Sequence, residues 1–192
     1  MNAVCSVLSV VCMLNLDLGE IYAPLKGLRY RFNFGPDFRY YRNGTFRNEE
    51  SISSEGKNRA SLSNQSDFSW TLDNLIYYDK EFGKHSVGLT LLQSATGYHY
   101  EESSMAAEGI PLESAKWNAL SKENVSLLDE WNSGLIEKQL LSYMFRVNYD
   151  YNNKYLLTVS GRWDGASQLA EGNKWAFFPS AALVGALIRK NF

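Results

Sequence analysis

The sequence predicts an all-β fold, an antiparallel up-and-down meander that forms a segment of a large transmembrane β-barrel. Three observations carry this expectation. Apolar and polar residues alternate with period two over runs of about ten residues or more, about twice the usual soluble strand of 5–6, and that length suits a strand crossing a bilayer at a tilt. Connections alternate between short and long, at residues 24–27, 41–65, 79–84, 97–136, 151–154 and 165–174. Aromatic residues gather at the ends of the runs. Tyr22, Tyr77, Tyr78, Tyr149, Tyr151 and Tyr155 flank the short turns, while Phe38, Tyr40, Phe68, Trp70, Trp163, Trp175 and Phe177 flank the long loops. Membrane barrels carry two such interfacial girdles, where a ring with one apolar and one wet side is most stable.

The elements follow in order. The concentrated apolar run Ala3 to Leu14 is interrupted by Ser6 and Ser9 and has no basic leader or small-residue cleavage site, and residues 1–13 are read as an off-pattern segment. A weak strand alternates over Leu14, Leu16, Leu18 and Tyr22, spoiled by Glu20. Pro24 to Gly27 reads as a turn, with Pro setting φ and Gly free to take φ > 0. The cleanest strand places Leu28, Tyr30, Phe32, Phe34, Pro36, Phe38 and Tyr40 on one face and Arg29, Arg31, Asn33, Asp37 and Arg39 on the other. Pro36 lacks a ladder donor and predicts a local irregularity. Phe68, Trp70, Leu72, Ile76 and Tyr78 define the next strand, with Asn74 a misfit, and Val87, Leu89, Leu91 and Ala95 the one after. Within 97–136, residues 111–120 and 121–131 each suit a short helix. Strands from Gln139 to Tyr151, from Tyr155 and from Trp175 complete seven strands over 14–183.

Composition narrows the function. A net charge of −2 and pI near 5.7 give no basic surface for nucleic acid. Cys5 and Cys12, seven apart, show neither metal spacing nor a disulfide framework. No nucleophile, metal, phosphate or dinucleotide motif is present, so no enzyme activity, catalytic residue, metal or cofactor is expected. His85 and His99 are solitary. Arg29, Arg31, Arg39, Arg146 and Arg162 lie on the polar face and are expected to pair with Asp37, Asp67, Asp73, Asp150 and Asp164 along a wet lumen. The candidate substrate-binding residues are the loop aromatics Tyr98, Tyr100, Trp117 and Trp131, whose rings suit stacking on sugars.

Lys154 to Leu183 carries KYLLTVSGRWDGAS followed by NKWAFFPSAAL. This resembles the barrel signature of the SusC/RagA group of TonB-dependent outer-membrane receptors, in which a "YLLT…R.DGSS" strand precedes "RWGYFPS…GWRI". The resemblance implies a fragment of an importer of glycans or other large nutrients in a Gram-negative, Bacteroidetes-like outer membrane. It also implies a SusD-like surface lipoprotein and TonB as partners, outer-membrane lipid around the barrel, and an oligosaccharide or peptide substrate. Receptors of this kind close about 22 strands around a plug. Seven strands without a plug or TonB box are therefore expected to be inactive alone. The alternative from another class is a soluble, secreted β-sandwich that binds carbohydrate or acts as an adhesin. The barrel reading also predicts a curved sheet with a polar concave face.

After Leu183 the family pattern continues as Gly-Trp-Arg-Ile, whereas this chain reads VGALIRKNF over 184–192. A coding stretch GGT TGG CGC ATT AAT ACG AAA GAA TTT would encode GWRINTKEF. Without its first base it encodes VGALIRKN and opens a Phe codon. The tail is accordingly expected to be out of pattern, the product of a single-base deletion.

Overall fold

The computed structural model of the chain describes residues 2–110, 113–121 and 127–185. Its strands are β1 (Asn2–Ser9), β2 (Cys12–Asp17), β3 (Leu28–Arg47), β4 (Arg59–Phe82), β5 (His85–Glu108), β6 (Leu127–Tyr151), β7 (Tyr155–Ala166) and β8 (Trp175–Gly185). They form one antiparallel meander in the order β1-β3-β4-β5-β6-β7-β8, with β2 also paired to β3. No second sheet occurs among the described residues, so the sandwich alternative does not hold. The chain divides into two compact units. One comprises Met1–Val10, Pro36–Ser69 and Tyr98–Glu137, the other Val11–Gly35, Trp70–Gly97 and Lys138–Phe192.

Residues 1–13 correct the sequence expectation. β1 pairs Ser9 with Asp37 and β2 pairs Cys12 with Phe34, so both follow one register along β3. They act as a single strand interrupted at Val10–Val11, opposite Gly35–Pro36. Pro36 has no N–H to offer, and its carbonyl accepts from Val10 N at 3.1 Å. The weak strand also ends earlier than expected. Asp17 accepts from Gly19 N at 2.9 Å and caps one helical turn, Leu18–Ile21, because a short carboxylate satisfies the amides that a helix start leaves free. Pro24 and Gly27 behave as read, with Gly27 at φ 91°.

Both long loops are shorter than the sequence indicates. β3 runs on to Arg47 and β4 begins at Arg59, while β5 reaches Glu108 and β6 begins by Leu127. These extensions mix polar and apolar residues on both faces, so the ladder continues with no regular apolar alternation to mark it. Of the expected helices, Glu113–Asn118 is a short 3₁₀ stretch broken at Lys116, and Pro111 and Leu112 lie outside the described residues. Leu127–Trp131 belongs to β6 rather than to a helix, and 122–126 lie outside the description. The tail expectation at 186–192 does as well, whereas Val184 and Gly185 pair with Leu156 and Tyr155 in β8.

Among the described residues the buried apolar side chains are Ala60, Ala107 and Ile110. By contrast Phe38, Phe68, Ile76, Leu91, Tyr143, Leu157, Val159, Trp163, Trp175 and Phe177 are exposed. A water-soluble domain of this size buries such residues. A sheet that presents them along one face has lipid as the solvent for that face.

Aromatic rings on this face lie over glycines. A Cβ on Gly97 would meet the Trp70 indole at 2.3 Å; one on Gly161 would meet Phe145 at 2.6 Å and Phe177 at 2.8 Å; one on Gly165 would meet Trp175 at 2.8 Å. Trp163 stacks on Phe177 with centroids 4.3 Å apart. Towards the short turns, His85 joins Phe82, Tyr149 and Tyr151. The misfit Asn74 has partners on the same face: its Oδ1 accepts from the Tyr30 hydroxyl at 2.6 Å, and its Nδ2 donates to Gln93. A polar side chain facing lipid is tolerable when its donors and acceptors are matched across strands.

Candidate substrate-facing wall

The opposite face is polar. Arg39 pairs with Asp37 at 2.9 Å and Arg162 with Asp164 at 2.7 Å, as the alternation implies. Other expected partners differ. Arg29 pairs with Asp79, Asp73 accepts from Ser94 at 2.6 Å, and Asp150 caps the β6–β7 turn through Asn153 N. Tyr77, assigned by sequence to a girdle, is on this wet face, where the Arg29 and Arg31 guanidiniums lie 5.5 and 5.7 Å from its ring centre. The ring quadrupole makes that environment favourable for an aromatic inside the wall.

Further along β5, Tyr98 and Tyr100 are two residues apart and share a face. The Tyr98 hydroxyl donates to Asp67 at 2.8 Å and the Tyr100 hydroxyl to Glu102 at 2.6 Å. Both residues lie beyond Trp70 and Gly97 and outside the lipid-facing span. Donation to Asp67 raises the Tyr98 pKa, with Arg39 opposing, and donation to Glu102 pushes Tyr100 up to about 12. Both phenols therefore stay protonated at neutral pH. The pair offers two rings beside two carboxylates, a surface that can stack on an apolar sugar face and accept hydrogen bonds from its hydroxyls.

The four aromatics singled out from sequence do not form one cluster. Tyr98 and Tyr100 stand together. Trp117, in the 3₁₀ stretch, packs on the backbone of β3, where a Cβ on Gly44 would meet its indole at 2.4 Å, and it lines a separate groove with Arg42, Leu62 and Met105. Trp131, on β6, is 77% exposed and has its ring in solvent. Sequence reasoning set Asp67 among the arginine partners and connected neither it nor Glu102 to the tyrosines, because only the β4–β5 pairing and the two-residue spacing on β5 bring them to the phenols. No group of three or more His, Cys, Asp or Glu side chains able to hold a metal ion occurs among the described residues.

An antiparallel sheet with one lipid-facing, girdled face and one charged face defines a wall of a transmembrane β-barrel. Comparison with known proteins specifies the kind. The chain is 29% identical over 175 residues to TonB-dependent receptor P3 of Formosa agariphila and 31% over 179 residues to TonB-dependent receptor P26 of the same organism, with 89% of this chain covered in each case. It is 28% identical over 174 residues to TonB-dependent receptor SusC of Bacteroides thetaiotaomicron, with 85% covered. Among solved structures, the RagAB peptide importer in its open-open state superposes with a TM-score of 0.75 at 19% identity, over 93% of this chain and 20% of that one, which establishes the shared fold. No family model matches. The chain is part of the β-barrel of a TonB-dependent receptor, a protein of the outer membrane. Within that class it is of the SusC/RagA kind. It spans 17% to 18% of the length of the three receptors compared, all of them receptors rather than enzymes.

Proposed function

We propose that the chain contributes one stretch of barrel wall to an importer of glycans or other large nutrients, working with a SusD-like surface lipoprotein and energised by TonB, and that it transports nothing by itself. The observation that carries this reading is the two-faced wall: lipid-facing rings packed over glycines on one side, and Arg–Asp pairs with the Tyr98–Asp67 and Tyr100–Glu102 pairs on the other. Strands β1 to β8 supply the wall, and residues 184–192 come from a shifted reading frame whose first two residues still pair at the end of β8. An oligosaccharide or peptide passing through the lumen would meet Tyr98 and Tyr100, whereas Trp117 and Trp131 would act at the loops.

Expression separates this reading from a self-sufficient soluble module. The chain should enter the membrane or inclusion-body fraction and bind detergent, and a monodisperse soluble monomer would overturn the proposal. The locus supplies a second test. It should hold a frame encoding a plug domain upstream and a gene for a SusD-like lipoprotein downstream, and resequencing past the Leu183 codon should reveal a GWRI-type strand in the neighbouring frame.

A further inference from the structure

Two indoles on the lipid-facing surface of the second unit, Trp70 over Gly97 and Trp175 over Gly165, stand at the end of the wall away from the short turns. Between them lies a groove of about 390 Å³. Leu141 and Gly165 pair directly across β6 and β7 on its floor, and Ala95 of β5 adjoins them. Thr96, Leu140 and Ala166 also border it. Each stands in sequence between two residues of the lipid-facing parity, so its side chain points to the other face and it meets the groove along its backbone. The neighbouring pair, Ser142 and Asp164, shares the parity of Leu140 and Ala166 and holds Arg162 on the polar face. The groove therefore opens to lipid and not to the lumen.

The lining grades from apolar to polar along the strands. Next to the apolar floor, Gln139 N donates to Ser167 Oγ and Ser167 N to Gln139 O, each at 2.9 Å. Lys174 joins them at this rim, in the connection that leads into β8. No aspartate or glutamate is among the described lining residues. An apolar trough between two indoles, with an ammonium, an amide and a hydroxyl at one end, matches an amphiphile with an anionic head. The acyl chain fits the trough, and the head-group oxygens accept from Lys174 and the rim. A neutral lipid fills the same trough but leaves Lys174 without a counter-charge. Outer-membrane barrels keep their short turns in the periplasm, so the rim stands at the head groups of the outer leaflet.

We propose that this groove binds one membrane lipid with an anionic phosphate head group, its acyl chain between Trp70 and Trp175 and its head on Lys174. The test uses the full chain refolded in micelles of an uncharged detergent. Anionic phosphatidylglycerol and net-neutral phosphatidylcholine, both brominated in the acyl chain, serve as probes, and quenching of tryptophan fluorescence reports binding. Phosphatidylglycerol should reach half-quenching at about fivefold lower mole fraction, the expected worth of one lysine at a charged bilayer surface. K174Q should erase that preference with strand content by circular dichroism unchanged, and K154Q, in the short turn at the opposite end of β7, should retain it. Glycerol phosphate, which has no acyl chain, should not relieve the quenching at the same concentration. Equal quenching by the two lipids in the unaltered chain would overturn the proposal, as would a preference that survives K174Q or disappears in K154Q. Relief by glycerol phosphate would overturn it too, by showing a free anion to be the occupant.

Discussion

The His99 imidazole links two strands, with Nδ1 3.0 Å from Glu137 of β6 and Nε2 3.2 Å from Glu101 of its own strand. Both ring nitrogens can donate only when the ring is protonated. The hydrogen bond to Glu137, followed by that to Glu101, raises the His99 pKa above its usual value. A raised folded-state pKa stabilises the pairing fully below the unfolded value of about 6.5, and that stabilisation is lost as pH rises through the folded value. With two histidines in the chain, an NMR titration should assign the higher pKa to His99, and E137Q should lower it. A His99 pKa at or below the ordinary value would contradict this geometry.

Glu108 behaves in the opposite sense. It is buried, with Lys57 at 2.6 Å and Arg59 at 3.4 Å, and the Lys57 hydrogen bond, ahead of the two positive charges, lowers its pKa despite burial. Its stabilising effect is present above the unfolded carboxylate value of about 4.3 and is lost as pH falls through the lower folded value. The nearby amide of Gly109, which donates to Asn58 O at 2.8 Å, should lose hydrogen-exchange protection in E108Q and in wild type at acid pH.

The Trp163–Phe177 stack lies on directly paired positions of β7 and β8. A double-mutant cycle of W163A and F177A in micelles, read by urea unfolding, should give a coupling of about 0.5–1.5 kcal/mol. Coupling near zero would mean that lipid contact, not stacking, holds these rings.

Asn152 and Asn153 close the β6–β7 hairpin at φ 54° and 53°. They belong to a three-residue connection, since Tyr151 pairs with Tyr155, and glycine takes the left-handed region at lower cost than asparagine does. N153G should therefore stabilise the chain by up to about 1 kcal/mol, and N152V should destabilise it by about 1–2 kcal/mol. Hydrogen exchange at Lys154, whose amide donates to Tyr151 O at 3.0 Å, reports both changes.

What the sequence disclosed depended on where the bilayer imposes a pattern. Between Leu28 and Tyr40 one face must be apolar, so the strand, its two faces and the irregularity at Pro36 were all legible. Beyond Phe68 and His99 polar and apolar residues mix on both faces, and the strands run on unseen through stretches that read as loop. β1 was missed for a similar reason. As an edge strand it has one paired neighbour, and Val4, Val7 and Leu8 fall on both of its faces, leaving no alternation to read. The site was legible residue by residue but not as an arrangement. Tyr98 and Tyr100 stood out as aromatics, yet their acidic partners and the separate seat of Trp117 on Gly44 depend on which strands and turns come together. Asn74 looked like an error in the pattern until pairing brought Tyr30 and Gln93 alongside it.

The rings that lie over glycines also constrain how such a wall can change over time. Gly161 beneath Phe145 and Phe177, and Gly97 beneath Trp70, each combine a position without a side chain and an oversized neighbour that occupies its space. Neither member can be exchanged alone without a collision or a hole. In a lineage of related walls these positions should therefore be inherited as linked sets, with a larger residue at position 97 accompanied by a smaller one at position 70, and the glycine at position 161 retained wherever both phenylalanines are.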